Sequence, residues 1–150
     1  MSKCEIYDNF LEPDLIDYCQ KYFRNDTLFK FQRSDNSEEN FFLMGIPPHD
    51  CLIDFIFFKI KTVSKRNLEM LRFYTNLQFS NMISELHTDD GHTTCLLMIA
   101  GEGDFELGKQ VIPFKKNRLI LFDSKIPHKG HSPKTGYRIT LAFKTNEIFN

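Results

Sequence analysis

Two side chains in the middle of the sequence, His87 and Asp89, are of types that bind divalent metal ions. One residue separates them in the segment Glu85–His92, and we predict that they lie at the end of a β-strand. Side chains two positions apart on a strand point to the same face, so the imidazole and the carboxylate would stand side by side. The tripeptide alone is a weak signal, because it is frequent by chance and a surface histidine beside an acidic turn is the commoner case.

A third candidate ligand, His128, follows a predicted strand through a turn later in the chain. Two imidazoles and one carboxylate form a facial set that binds Fe(II) and leaves positions open for other ligands. His131 competes with His128 for this role, since both lie beyond the same strand, but the spacing to Arg138 favours His128. Asp90 competes less well with Asp89, because adjacent residues point to opposite faces of a strand.

An arginine, Arg138, stands ten residues after His128 in the alternating segment Tyr137–Phe143. We predict a strand there, with Arg138 and Thr140 on one face. A guanidinium on the inner face of a small barrel is costly unless it meets an anion, and its fork fits a carboxylate. The order of these residues along the chain is far more specific than any one of them, and it predicts a metal site beside an anion site.

With these residues in this order, the chain resembles the Fe(II)- and 2-oxoglutarate-dependent dioxygenases, in particular the prolyl 4-hydroxylase-like branch with its small microbial and viral members. The resemblance covers most of the chain and is strongest from Asn117 to Phe143. The other similar segments are Ile6–Leu11, Leu71–Asn76, His87–Asp89 and Thr94–Ile99.

The resemblance implies roles for individual residues. The two histidines and the aspartate named above would be the iron ligands, and Arg138 would pair with the distal carboxylate of 2-oxoglutarate. Thr140 would add a hydroxyl to the same carboxylate. Tyr74 matches a position where the branch often has a tyrosine lining the co-substrate pocket, and a plain core aromatic is the alternative. No catalytic side chain beyond these metal and co-substrate ligands is implied.

The resemblance also implies an activity, the hydroxylation of a substrate C–H bond. Fe(II) would be the cofactor, 2-oxoglutarate and O2 would be consumed, and succinate and CO2 would be released. Ascorbate is a further cofactor candidate. Met98 and Ala100 stand where many prolyl hydroxylases have tyrosine and asparagine, and Gly103–Leu107 replaces a more usual glycine pair. These changes alter the pocket wall rather than the metal set. The resemblance implies a protein or peptide side chain as the substrate, with proline one candidate, and these departures count against proline.

Three alternatives to that function stay open at this point. The first is hydroxylation of a small metabolite, and the second is hydroxylation or demethylation of a nucleic acid. The third is a non-catalytic module. It would be either a cupin-like one that binds a metal or a ligand without turnover, or a plain β-sandwich interaction module in which the metal-site pattern is accidental.

The elements that must position these residues follow from the apolar patterns. Helical spacing predicts a helix over Glu12–Phe23 and a second over about 49–66, and the polar segment 33–40 suits a loop between short extended pieces. Short apolar segments after Asn67 predict antiparallel strands at 69–79, 82–88, 93–100, 103–107, 109–114, 118–123, 127–131 and 136–144. We expect an α+β, mainly β fold: a double-stranded β-helix (jelly roll, cupin-like) with the N-terminal helices packed on one sheet.

Length and charge bound the function further. The 150 residues predict a single domain, with a helical part at about 1–67 and a β-helix core at about 68–146. Nineteen basic and 20 acidic residues give a net charge of −1, which makes nucleic acid an unlikely partner and predicts no membrane partner. The first residues lack the apolar core of a signal peptide, and we expect a cytoplasmic location.

Several other polar or reactive residues are expected to be structural. The basic cluster Lys115–Arg118 is predicted to fill a solvated turn, with a nucleic-acid contact as the alternative. His49 and His92 are predicted to be solvated loop residues, although His92 is also a candidate for the mouth of the site. Four cysteines without metal-binding spacing are expected to be buried reduced thiols: Cys4, Cys19, Cys51 and Cys95.

Overall fold

The computed structural model describes residues 4–34 and 37–149, and the side chains at 33–41 are left out of the description. The helices are α1 (Pro13–Asn25) and α2 (Cys51–Ser64). The strands are β1 (Glu5–Tyr7), β2 (Phe29–Ser34), β3 (Ser37–Gly45), β4 (Leu68–Phe79), β5 (Thr93–Ala100), β6 (Phe105–Leu107), β7 (Gln110–Ile112), β8 (Arg118–Asp123), β9 (His128–Gly130) and β10 (Tyr137–Glu147).

Both predicted helices are present, and local chemistry accounts for their ends. Pro13 occupies the first turn of α1, where its missing N–H costs nothing. Asp50 caps α2, because its carboxylate accepts hydrogen bonds from the backbone N–H groups of Leu52 and Ile53. Lys65 ends α2 in the left-handed region, at φ 55°.

The strands form two antiparallel sheets. The large sheet has the order β1-β8-β5-β10-β4-β3-β2, and the small sheet has the order β7-β6-β9. This arrangement confirms the predicted fold class, an α+β, mainly β double-stranded β-helix with its helices on one sheet.

Two hydrophobic cores cover the two faces of the large sheet. One core packs α1 and α2 against the outer face and includes Phe23, Ile56 and Phe143. The second core lies between the two sheets and includes Phe105 and Phe122. The site described below opens on this second, inner face.

The central strand β10 separates these two environments by simple alternation. Its odd-numbered residues Ile139, Leu141 and Phe143 are buried in the helical core. Its even-numbered residues point to the inner face, opposite the even-numbered residues of β4, and the inner pairs are Arg138–Gln78, Thr140–Asn76, Ala142–Tyr74 and Lys144–Arg72. The inner face therefore carries a row of polar side chains between two apolar layers.

The predicted strand at 82–88 is wrong. In the described chain this segment is part of a long connection between β4 and β5, and only His87 makes a β-bridge, to His128. Turn-forming residues interrupt the segment at both ends, since Asn81 and Gly91 have φ values of 70° and 77°. An alanine at position 91 would also place its Cβ 2.5 Å from the carbonyl oxygen of Thr145.

Other expectations need smaller corrections. The region predicted as a loop with short extended pieces holds the hairpin of β2 and β3. Whether the polar segment 33–40 covers the site lies outside the described residues. All four cysteines are free, but Cys51 is exposed and Cys4 only half-buried, so the prediction of buried thiols holds for Cys19 and Cys95.

The basic cluster at 115–118 is more than a solvated turn. The ammonium of Lys115 lies 2.9 Å from Asp8 Oδ2, and Arg118 Nε lies 2.6 Å from Asp8 Oδ1. Lys116 pairs with Asp17 of α1 at 2.6 Å. The cluster therefore ties this turn to the segment that enters α1.

Within the described residues, no helix has the length and apolar character needed to cross a membrane.

Candidate metal centre and anion pocket

His87, Asp89 and His128 converge between the two sheets. His128 begins β9, and its backbone exchanges two hydrogen bonds with His87, at 2.9 and 3.1 Å. The backbone N–H of Asp89 donates to the carbonyl of Ser124 at 2.9 Å. One ligand atom from each of the three side chains lies within 4.8 Å of the others, a spacing that would accommodate a metal ion. The bridge between the two histidines, rather than a regular strand, places the imidazoles together.

Both imidazoles are oriented for metal binding through Nε2. Nδ1 of His87 lies 2.9 Å from the carbonyl oxygen of Glu85, and Nδ1 of His128 lies 2.8 Å from that of Ile126. A carbonyl can only accept, so each Nδ1 carries a proton, and Nε2 is the ring nitrogen left to bind a metal ion. Burial lowers the pKa of His87, which favours its neutral form.

The carboxylate of Asp89 is buried and has several partners. Its Oδ2 accepts a hydrogen bond from Thr94 Oγ1 at 2.8 Å, lies 3.0 Å from His128 Nε2, and is bonded by the ammonium of Lys144. Burial alone would raise the pKa of Asp89, but the contact with His128 and the charge of Lys144 outweigh it and hold the pKa well below its usual range. The site therefore offers an ionised carboxylate whose oxygens lie 3.0 Å from His128 Nε2 and 3.8 Å from His87 Nε2.

Arg138 lies in the same cavity and is only 2% exposed. Its Nε donates to the carbonyl of Gly103 at 3.0 Å, and its Nη1 donates to Gln78 Oε1 at 3.1 Å. Its Nη2 has no hydrogen-bond partner within the described structure. Burial lowers the pKa of Arg138 to about 10, so the guanidinium remains a cation. A buried cation with one unpaired N–H group is the expected form of an anion site.

Two further polar atoms near Arg138 also lack partners among the described groups. They are Thr140 Oγ1 and Asn76 Oδ1, and both residues line the same cavity as Arg138. The cavity has a volume of about 400 Å³. A small dicarboxylate would supply acceptors for the guanidinium and the threonine hydroxyl, so the residues present fit 2-oxoglutarate. A side chain at position 130 would not fit, because a Cβ on Gly130 would lie 2.7 Å from Arg138 Nη1.

Tyr74 lines the same cavity as the triad and Arg138. Burial raises the pKa of Tyr74, and the nearby charge of Asp89 raises it further, so the phenol stays protonated. The ammonium of Lys144 lies 5.2 Å from the centre of its ring. Tyr74 also packs against the inner hydrophobic core, so its position agrees with both interpretations of this residue.

The other histidines and the second aspartate do not join the triad. His131 Nε2 lies 3.1 Å from Glu106 Oε2, and Asp90 pairs with Arg72 at 2.8 Å. His49 pairs with Asp54 at 2.7 Å. His92 accepts a hydrogen bond from the backbone N–H of Glu147 and does not line the cavity.

Sequence reasoning missed four residues of this site: Gln78, Asn76, Thr94 and Lys144. Lys144 had a signal, because the alternation that pairs Arg138 with Thr140 continues two steps to Lys144. Gln78 and Asn76 are found only through the register between β4 and β10, which no local pattern specifies.

Comparisons with known proteins place this geometry in context. No family model matches the sequence, and no curated protein matches it either. Solved structures do match over nearly the whole chain. A prolyl hydroxylase from Trichoplax adhaerens, in complex with a hypoxia inducible factor oxygen degradation domain peptide, superposes with a TM-score of 0.71 at 14% identity and covers 97% of this chain and 84% of its own.

Two further structures are similar. A prolyl-4-hydroxylase from Pseudomonas putida has a TM-score of 0.65 at 14% identity and covers 96% of this chain and 93% of its own. HygX from Streptomyces hygroscopicus, with nickel, 2-oxoglutarate and hygromycin B bound, has a TM-score of 0.69 at 8% identity and covers 95% and 82%. This chain has the fold of the 2-oxoglutarate and Fe(II) oxygenases. At these identities the likeness concerns the fold, and the function has to be argued from the site.

Proposed function

We propose that this protein is a non-haem Fe(II)- and 2-oxoglutarate-dependent dioxygenase that hydroxylates its substrate. Its metal ligands are His87, Asp89 and His128. The observation that carries this proposal is the pairing, in one cavity, of a metal-binding triad with a buried guanidinium whose Nη2 has no partner in the described structure. Either feature alone would suit several classes of protein. Together they support a site for both Fe(II), at the triad, and 2-oxoglutarate, at the guanidinium.

The chain's own residues would bind and orient the reactants. The two Nε2 atoms and the Asp89 carboxylate would hold the metal, and Arg138 with Thr140 would bind the distal carboxylate of 2-oxoglutarate. Bound Fe(II), with 2-oxoglutarate and O2, supplies the oxidation that hydroxylates a C–H bond and releases succinate and CO2. Phe105 and Phe122 pack against the ring of His128, at 5.7 and 4.8 Å between ring centres, and keep water from that side of the site.

The substrate we propose is a protein or peptide side chain, with proline one candidate. The Trichoplax and Pseudomonas neighbours are described as prolyl hydroxylases, and this supports the choice. HygX is described with hygromycin B bound, so a small molecule is the second candidate. Nucleic acid stays a weaker alternative because the net charge is −1. Use of ascorbate, a cytoplasmic location and a single domain over 1–150 remain predictions from the sequence.

The first experiment is an anaerobic titration of 2-oxoglutarate into the Fe(II)-loaded protein. Bidentate binding of the keto acid to Fe(II) gives a visible charge-transfer band. We expect this band in the wild type and in His131→Ala, and we expect its loss in His128→Ala. Metal binding by the wild type without a band would leave the cupin-like binding module and overturn the dioxygenase proposal.

A second measurement separates turnover from binding alone. Oxygenases of this class release some succinate slowly without their prime substrate, so we expect succinate from the aerobic wild type and none from Asp89→Ala. A band without any succinate, across a panel of peptide and small-molecule substrates, would favour a ligand-binding protein.

A further inference from the structure

Lys144 lies beside the metal centre, although it is neither a proposed metal ligand nor a proposed partner of 2-oxoglutarate. It follows Arg138 and Thr140 on the inner face of β10 and is only 2% exposed. Its Nζ donates a hydrogen bond to Asp89 Oδ2, the oxygen that also accepts from Thr94. A buried lysine is therefore bonded directly to the carboxylate of the triad.

The surroundings of Lys144 leave Asp89 as its counter-ion. Its cross-strand neighbour is another cation, Arg72, and like charges directly opposite each other on two strands repel. Arg72 has its own partner, Asp90, at 2.8 Å. The ring of Tyr74 lies between the two cations, 5.5 Å from the guanidinium carbon of Arg72 and 5.2 Å from Nζ of Lys144. Among the described side chains, the carboxylate that Lys144 contacts is that of Asp89.

A cation in this position has two effects on metal binding, and both have the same sign. It neutralises Asp89 before any metal arrives, so a metal ion gains less from that carboxylate. It also stays within a few ångströms of the bound ion, where burial keeps the repulsion between the two positive charges strong. A neutral side chain at position 144 would leave Asp89 as a buried, unpaired charge that only a metal or a proton can neutralise.

We propose that Lys144 is the residue that sets the metal affinity of this site, by acting as an internal counter-ion that a metal ion must share or displace from Asp89. The inference rests on the proposed ligand set, and it adds that the metal-free protein is a stable, charge-paired state. Loss of the lysine charge tightens metal binding and destabilises the protein without metal.

The test is a metal titration of the metal-free 150-residue chain without 2-oxoglutarate, using Co(II) and Zn(II) as probes. Co(II) is followed by its visible absorption and Zn(II) by competition with a chromophoric chelator. Lys144→Met removes the charge, and Lys144→Gln removes the charge but keeps an N–H donor. We expect both variants to bind each metal about tenfold more tightly or better, and Lys144→Arg to stay within about threefold of the wild type.

A matched control removes a cation from the same cavity without touching Asp89. Arg72→Gln does this, and we expect it to change the metal affinity by less than about threefold. In the metal-free state, Lys144→Met should unfold at a lower temperature than the wild type, and saturating Zn(II) should remove most of that difference.

The outcomes separate this inference from the function proposed above. Metal affinity of Lys144→Met and Lys144→Gln equal to or weaker than that of the wild type would overturn the role of Lys144, while metal binding by the wild type leaves the triad intact. Failure of the wild type to bind Co(II) or Zn(II) would overturn the triad itself. If Lys144→Met does not fold, Lys144→Gln carries the same comparison.

Discussion

Two of the three guanidinium nitrogens of Arg138 are hydrogen-bonded within the described structure, and the third is not. The carbonyl of Gly103 and the amide of Gln78 fix its Nε and Nη1, and Nη2 has no described partner. A guanidinium held in this way loses little conformational entropy when an anion binds, so less of the interaction free energy is lost and the affinity is higher.

Replacement of Arg138 by methionine should therefore weaken 2-oxoglutarate binding by about two orders of magnitude and leave metal affinity nearly unchanged. Titration of 2-oxoglutarate against the Zn(II)-loaded variant by calorimetry measures this. Arg118→Met, which removes an arginine outside the cavity, is the control. Unchanged affinity in Arg138→Met would exclude it as the carboxylate partner.

At this scale, residue types and spacing were enough to select His87, Asp89, His128 and Arg138 as candidates, and the structure brings all four to one cavity. Local pattern could not select Gln78, because its contact with Arg138 depends on the pairing of two strands 60 residues apart.

Among the elements, the short strand β9 shapes the pocket as well as supplying His128. Its last residue, Gly130, lies against the guanidinium of Arg138, so a methyl group there would meet Nη1 at 2.7 Å and Cζ at 2.9 Å. The guanidinium cannot move freely because its Nε and Nη1 are hydrogen-bonded to Gly103 and Gln78.

We expect Gly130→Ala to raise the dissociation constant of 2-oxoglutarate about tenfold or more, a loss of about 1.4 kcal/mol, without a matching loss of metal affinity. Gly136→Ala is a suitable control, since a Cβ there meets nothing within 4 Å although its φ of 70° makes the substitution strained. Equal 2-oxoglutarate binding by both variants and the wild type would show that Arg138 adjusts at no cost.

The segment between β1 and α1 is tied to the rest of the fold by charge. Hydrogen bonds from Arg118 and then Lys115 hold the pKa of Asp8 well below its usual range. A carboxyl group whose folded pKa is depressed stabilises the protein above its unfolded pKa, about 3.9, and this contribution is lost as the pH falls towards the folded value.

Asp8→Asn should accordingly lower the free energy of unfolding by about 1 kcal/mol or less at pH 7, since the pair is partly exposed. The difference from the wild type should shrink as the pH is lowered below about 4. Urea unfolding at pH 7 and pH 3 measures it, and a difference that grows in acid would contradict the assignment.

Most elements could be predicted from the sequence because their apolar periods are local. The helices and seven of the eight predicted strands are present, with shifted ends. The prediction at 82–88 fails for a physical reason. Ile83 and Leu86 are apolar residues of a segment with a strand-like pattern, yet both are exposed. Among the described residues, the segment's pairing with a strand is limited to the single bridge from His87 to His128. An apolar pattern predicts a strand only where a partner exists.

For the molecule as a whole, the two sheets and the loop between β4 and β5 each contribute part of the site. His87 lies on that loop and half of its side chain is exposed, whereas Arg138 lies on the central strand of the large sheet. A metal ion and a co-substrate that bind across these parts stabilise the folded protein, because the unfolded chain has no such site to bind them.

Zn(II) and 2-oxoglutarate, each at about 100 times its dissociation constant, should together raise the melting temperature by roughly 10–20 °C. Differential scanning calorimetry with and without a chelator measures the shift. His87→Ala removes a half-exposed ligand and so should fold, and it should lose most of the shift. A full shift in that variant would place the metal elsewhere.

The alternation of β10 also limits how such a protein can diversify. Every residue from Arg138 to Thr145 is buried, so this part of the strand offers no position where a substitution leaves the packing unchanged. Room for evolutionary change lies instead among less buried residues that line the cavity, such as Gln32 and Phe42 of the hairpin and Leu86 of the long connection. Substitutions at these three positions would change the cavity wall, and with it the substrate of the proposed dioxygenase, while the buried residues of β10 stay the same.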